Sequence, residues 1–260
     1  MLRRVIVVFA ASIVLLSGCS VAEETAGRVG SSPIPVVPRA APDGAVELPR
    51  SVLVPTGPGR LTARAEQPFL RTWRAPGPSA YTVDRLATSN AFGQPMSFLV
   101  RDIVRDDGGT DWVRIRTGEY PNGAEAWVRA SDVRLGTVDQ RVVIDLSERR
   151  LVRYIDGKVH TTVQIAIGDV DTPTVPGRYF VWARVRYSTP GGPYGKLALG
   201  LSGFSEVVRF GPSPGRLAIH GTDDPSDRGQ AVSLGCIRVY NDEIDRLWSV
   251  PMGTPVLIRR

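Results

Sequence analysis

The stretch "HGTDDPSDRGQAVSLGCIRVYN", His220 to Asn241, holds one of only two histidines and one of only two cysteines in 260 residues. The nucleophilic form of cysteine is the thiolate, and a free thiol with a pKa of about 8.5 is mostly protonated at neutral pH. An imidazole within hydrogen-bond reach supplies a base, and the resulting thiolate–imidazolium pair is ready to attack an acyl carbon. Sixteen positions separate His220 from Cys236, a loop long enough to fold back and bring the two together. Gly235, directly before the cysteine, permits a sharp turn and a close approach of backbone to substrate. Backbone N–H groups around Ser233 to Cys236 could then hold a developing oxyanion.

Each of these residues also has a plainer reading. Cys236 could be a buried small hydrophobe or a redox-sensing thiol, Arg238 a solvated strand charge, and Ser233 a turn residue. His160 stands in "GKVHTTVQIAIG" with no motif around it and reads as structural. Asp223 and Asp224 are adjacent acids without further ligands, so they read as solvated and no metal site is expected. Trp182, Tyr194, Phe204 and Trp248 read as core or groove lining.

The elements that must position the pair are mostly strands. "QRVVIDLSERRLVRYIDGKVHTTVQIAIG" predicts strands over Val142–Asp145, Leu151–Ile155 and His160–Ile167, with Asp156-Gly157 as a hairpin signal. "TPTVPGRYFVWARV" runs from a Pro-Gly turn into a strand, "RLAIH" is a strand ending at His220, and "PVLIRR" is a last strand. "NDEIDRLWSVP" predicts one short helix, capped by Asp242, with Ile244, Leu247 and Trp248 on one face and Pro251 closing it. Glycine-rich, aromatic "YSTPGGPYGKLALGLSGF", Tyr187 to Phe204, is a candidate lid. Upstream, "FLVRDIV", "DWVRIRT" and Ala126–Arg129 after a Pro-Asn-Gly turn predict small antiparallel strands.

The first residues set the compartment. Arg3 and Arg4 precede an apolar run from Val5 to Leu16, which as a helix rises only about 18 Å and is too short to cross a bilayer. That pattern reads as a secretory signal over residues 1–18. "LSGC", Leu16 to Cys19, resembles the lipobox of bacterial lipoproteins, which implies a lipidated Cys19 and an extracytoplasmic protein held on the cell membrane. Cys236 then lacks a disulfide partner in an oxidising space. Residues 19–49, rich in Pro, Ala, Gly and Ser, read as a flexible tether. The net charge of +6 is scattered, with no aromatic-basic array, so nucleic acid is not an expected partner.

Two family resemblances organise the rest. "WVRIRTGEYPNGAEAWVRASDV" resembles bacterial SH3-like modules, which implies a small β module over 50–136. "HGTDDPSDRGQAVSLGCIRVYNDEIDRLW", with "IDLSERRLVRYIDGKV", "IAIGDVDTPTVPGRYFV" and "GKLALGLSGF", resembles the L,D-transpeptidases with a YkuD-type fold over 138–260. The resemblance implies a mainly β chain whose catalytic domain is a YkuD-like β-sandwich with one short helix. It implies a cysteine acyltransferase acting on peptidoglycan stem peptides, with Cys236 as nucleophile, His220 as base and the Gly221 carbonyl orienting the imidazole. Ser233, Leu234 and Gly235 match the segment that shapes the oxyanion and substrate site. Arg238 is implied to bind a substrate carboxylate or to steady the loop. Leu234 stands where many members have a second histidine, which puts that residue's proton-shuttling role in doubt here. No cofactor is implied, and carbapenems are expected to acylate Cys236. Rival readings are an L,D-carboxypeptidase or a wall-attachment acyltransferase using the same thiol, and a non-catalytic wall-binding lipoprotein.

Overall fold

The computed structural model describes residues 60–77, 82–188 and 191–260; the signal segment, Cys19 and the tether lie outside them. The chain is mainly β, as its alternating apolar patterns predict. A first, antiparallel sheet contains β1 (Arg60–Arg64), β2 (Phe69–Trp73), β3 (Thr82–Ala87), β4 (Phe98–Arg105), β5 (Asp111–Arg116), β6 (Glu125–Arg129) and β7 (Arg134–Val138). Its order is β3-β2-β6-β5-β4-β1-β7. At its edge β1 pairs antiparallel with β7, so that Arg60 faces Val138.

The second sheet follows without a break. It contains β8 (Gln140–Asp145), β9 (Arg150–Ile155), β10 (Lys158–Gly168), β11 (Gly177–Arg186), β12 (Leu197–Phe210), β13 (Ser213–Thr222), β14 (Ala231–Ser233), β15 (Ile237–Tyr240) and β16 (Pro255–Arg259). Asp156 and Gly157 both take positive φ, 49° and 78°, as the tight β9–β10 hairpin requires. The first half of β10 pairs with β9 and its second half with β15. Likewise β11 pairs first with β16 and then with β12. These two long strands therefore turn the corners of a sandwich. Its interior is filled by Val142, Ile144, Leu151, Ile165, Val181, Leu199, Ile219, Ile237, Val239 and their neighbours. Burying each such side chain contributes roughly 1.5–3 kcal/mol.

Two sequence expectations are corrected. The predicted helix is a single 3-10 turn, Ile244–Leu247, whose N-cap is Glu243 rather than Asp242 and makes no side-chain capping bond. Its place comes from tertiary bonds: Arg153, 2% exposed, donates to the Arg246 carbonyl at 2.6 Å, to Ser249 Oγ at 2.9 Å and to Gln140 Oε1 at 3.0 Å. Two further 3-10 turns, Ala130–Asp132 and Pro225–Asp227, also occur among the described residues. The candidate lid is the other correction. From Leu197 onward it is strand β12, paired on both sides, so only the part before it is loop.

The two sheets share a core. Phe180, Trp182 and Ala183 of β11 pack with Leu70, Phe98, Val113 and Ile115 of the first sheet and with Met96 just before β4. Asn122 locks the seam, its side chain donating to the Phe204 carbonyl at 2.9 Å and accepting from the Phe204 N–H at 2.7 Å. The Arg216 guanidinium stacks on Trp182 and Phe204, 3.9 and 4.2 Å from the ring centroids. It donates to the carbonyls of Gly118 and Leu201 at 3.1 and 3.2 Å.

Candidate active site

The strand that bears His220, β13, and the strand that follows Cys236, β15, are adjacent and parallel, with Ile219 facing Ile237 and His220 facing Arg238. Cys236 immediately precedes β15. Leu217, Ile219, Ile237 and Val239 enter the sandwich core, so strand alternation puts Ala218, His220, Thr222, Arg238 and Tyr240 on the opposite face. The Cys236 thiol reaches that face too, since it takes a backbone hydrogen bond from Ala218.

His220 is 4% exposed. Its Nδ1 lies 2.9 Å from the Gly221 carbonyl oxygen. A carbonyl only accepts, so Nδ1 carries the proton and Nε2 of the neutral ring keeps the lone pair. The edge of Tyr194 packs on the imidazole, ring centroids 5.1 Å apart at 72°, and Tyr187 stacks on Tyr194 in turn at 5.9 Å. Burial, reinforced by Cys236 nearby, pushes the Tyr194 phenol up to about 12. The end of β13 is held against this loop by the Gly221 N–H donating to the Tyr194 carbonyl at 3.0 Å. A Cβ on Gly221 would sit 2.3 Å from the Asn241 side-chain oxygen, so a side chain here would require Asn241 to shift.

The turn before the cysteine is braced from inside. Ser233, 1% exposed, accepts from the Gly235 N–H at 3.1 Å and donates to the Cys236 carbonyl at 2.5 Å. Gly235 has φ of 102°, a conformation that disfavours any other residue. From outside, Thr172 Oγ1 donates to the Ser233 carbonyl at 2.9 Å and Thr174 Oγ1 to the Gly235 carbonyl at 3.0 Å. Thr174 also accepts from the Gly168 N–H at 2.8 Å. Leu234 projects from the turn, 62% exposed.

Burial moves the two reacting groups in opposite directions. It depresses the His220 imidazole to about 4, against the hydrogen bond to Gly221, and it raises the Cys236 thiol, partly offset by Ala218 and Arg238. Desolvation penalises each charge, so burial favours the neutral imidazole and the neutral thiol.

Arg238, partly exposed, pairs with a buried carboxylate outside the expected site residues. Its Nη1 lies 3.0 and 2.9 Å from the two oxygens of Asp227. Of the acids that were considered, Asp224 is exposed and accepts from the Ser226 N–H at 2.9 Å, starting the 3-10 turn that presents Asp227, and Asp223 is exposed. His160 is exposed on β10, its Nδ1 2.7 Å from Thr161 Oγ1. Trp182 and Phe204 lie at the seam between the sheets, and Trp248 lies beneath Arg184 and Arg186. Thr172 and Thr174 belong to the segment "TPTVPG", and their partners lie 61 residues away, which leaves no local sign of their role.

Comparison with known proteins is consistent in direction. The family model described as the L,D-transpeptidase catalytic domain, YkuD, matches residues 139–258. YkuD of Bacillus subtilis strain 168, assigned by name to the L,D-transpeptidases, is 35% identical over 48% of this chain and 68% of its own length. Its namesake in Bacillus licheniformis is 37% identical over 47% of this chain and 67% of its own. The crystal structure of an Enterococcus faecium L,D-transpeptidase is similar at 24% identity with a TM-score of 0.38, covering 47% of this chain and 50% of that one.

Proposed function

Because the chain belongs to the L,D-transpeptidase family with a YkuD-type catalytic domain, we propose that it forms 3-3 peptidoglycan cross-links through a thioester on Cys236. The donor is a tetrapeptide stem. Cys236 Sγ attacks the carbonyl at the L-centre of its third residue while Nε2 of His220 takes the thiol proton. The imidazolium then gives that proton to the departing amine, and the C–N bond to the terminal D-alanine breaks. An acceptor amine from a neighbouring stem attacks the thioester, loses a proton to His220, and leaves the thiol free again.

The observation that carries this reading is the arrangement of β13 and β15. It sets the thiol's residue beside the imidazole's strand while the Gly221 carbonyl, by holding Nδ1–H, leaves Nε2 as the base. Since burial favours the neutral form of both groups, proton transfer in this reading accompanies attack. The Gly235 N–H is engaged by Ser233, so oxyanion stabilisation falls to the neighbouring amides of the turn.

Purified protein given a tetrapeptide muropeptide tests the reading by chromatography and mass spectrometry. Cross-linked dimers are expected, whereas tripeptide alone would make the enzyme an L,D-carboxypeptidase. Exposure to a carbapenem should add one acyl group to the wild type and none to Cys236→Ala. An equal adduct on both proteins would end the acyl-enzyme account.

A further inference from the structure

The loop between His220 and Cys236 carries one buried carboxylate that side chains of both flanking strands hold. Asp227, 4% exposed, accepts from Thr222 Oγ1 at 2.7 Å through Oδ2 while both its oxygens receive Arg238 Nη1. Thr222 lies two residues beyond His220, and Arg238 two residues beyond Cys236. By strand alternation each shares a face with the reacting residue that it follows. The carboxylate is presented rigidly, with the Asp227 N–H donating to the Asp224 carbonyl at 3.1 Å and the Gln230 N–H to the Asp227 carbonyl at 3.0 Å. We infer that Asp227 is a positioning residue, a buried tie that joins the strand bearing His220 to the strand following Cys236 and so fixes the spacing of base and nucleophile.

In this arrangement Arg238 serves the loop: its Nη1 is held by the internal carboxylate. Charge near the imidazole is thereby balanced, since Arg238 disfavours the His220 cation and Asp227 favours it. Nothing in the local sequence "PSDRG" marks this residue, because both its partners come from strands.

The inference rests on the proposed transfer reaction only for its turnover readout; alkylation of the thiol reads it independently. Asp227→Ala alone would leave a cation without its partner and lower stability, so the decisive variant is Asp227→Leu with Arg238→Met, which replaces the pair by apolar side chains. That double variant is expected to melt within a few degrees of wild type yet to show kcat reduced by about 10- to 100-fold with KM within about twofold, as small misplacements of reacting groups do. Thr222→Val, which cuts the link to β13 together with the weaker bond from the Asp224 N–H to Thr222 Oγ1 at 3.3 Å, should lose about fivefold in kcat on the same argument. Iodoacetamide labelling of Cys236, followed by mass spectrometry, should slow in step in both. Wild-type kcat and labelling in a folded double variant would overturn the tie, and so would a raised KM at unchanged kcat, which would make Arg238 a substrate ligand. If wild type gives neither dimer nor tripeptide, the transfer reaction fails, and the labelling rates alone still judge the tie.

Discussion

An imidazole as enclosed as that of His220 loses the water that would stabilise its cation, and its pKa of about 4 follows. Two consequences belong to this one residue. The base form is populated from about pH 4 upward, so acylation of Cys236 by a carbapenem should keep an acid limb near pH 4; a limb at 6–7 would contradict a buried, neutral base. The unfolded chain binds the same proton near pH 6.5, so between pH 6.5 and 4 the unfolded state holds more protons. Stability then rises with pH across that window and is lost on acidification, by about 3 kcal/mol for this group. The sequence displayed His220 and Cys236 plainly, as single chemical groups in a loop-rich run. It could not display their protonation, which depends on Tyr194, the turn and the flanking strands closing over them.

At the scale of elements, the loop carrying Thr172 and Thr174 acts as a clamp on the turn that ends in Cys236. Thr174 is buried, and its hydroxyl serves one donor and one acceptor at once. Thr174→Val keeps the volume but strands the Gly168 N–H and the Gly235 carbonyl, which costs about 1–3 kcal/mol for each group left without a partner. We expect a lower melting temperature together with slower acylation of Cys236; a loss of stability with wild-type acylation would show that the clamp does not position the turn. Strands were legible wherever apolar alternation met a turn signal, as at Asp156-Gly157. The short helix stands where its apolar face predicts, but its 3-10 form and the extent of the lid depend on Arg153 and on the two neighbours of β12, contacts that no short window contains. Asp227 is hidden for the same reason, since its partners lie on distant strands.

At the scale of the whole molecule, the seam decides whether two sheets behave as one. Leu48–Arg260 form a single compact unit, and Phe180, Trp182 and Ala183 belong to the core of the first sheet as much as to their own strand. Calorimetry should therefore show one unfolding transition. Arg216→Ala, which removes a guanidinium whose pKa burial lowers to about 10, should move that whole transition down by about 2–3 kcal/mol, or roughly 5–10 °C. Two resolved transitions would deny the shared core. The pairing of Arg60 with Val138 carries a different message. The polypeptide enters and leaves the first sheet at neighbouring positions, about 4.8 Å apart in the hydrogen-bonding direction. Cutting the first sheet away would nonetheless bare Phe180 and Trp182 to water, so a second sheet made to stand alone is expected to need polar residues at both places.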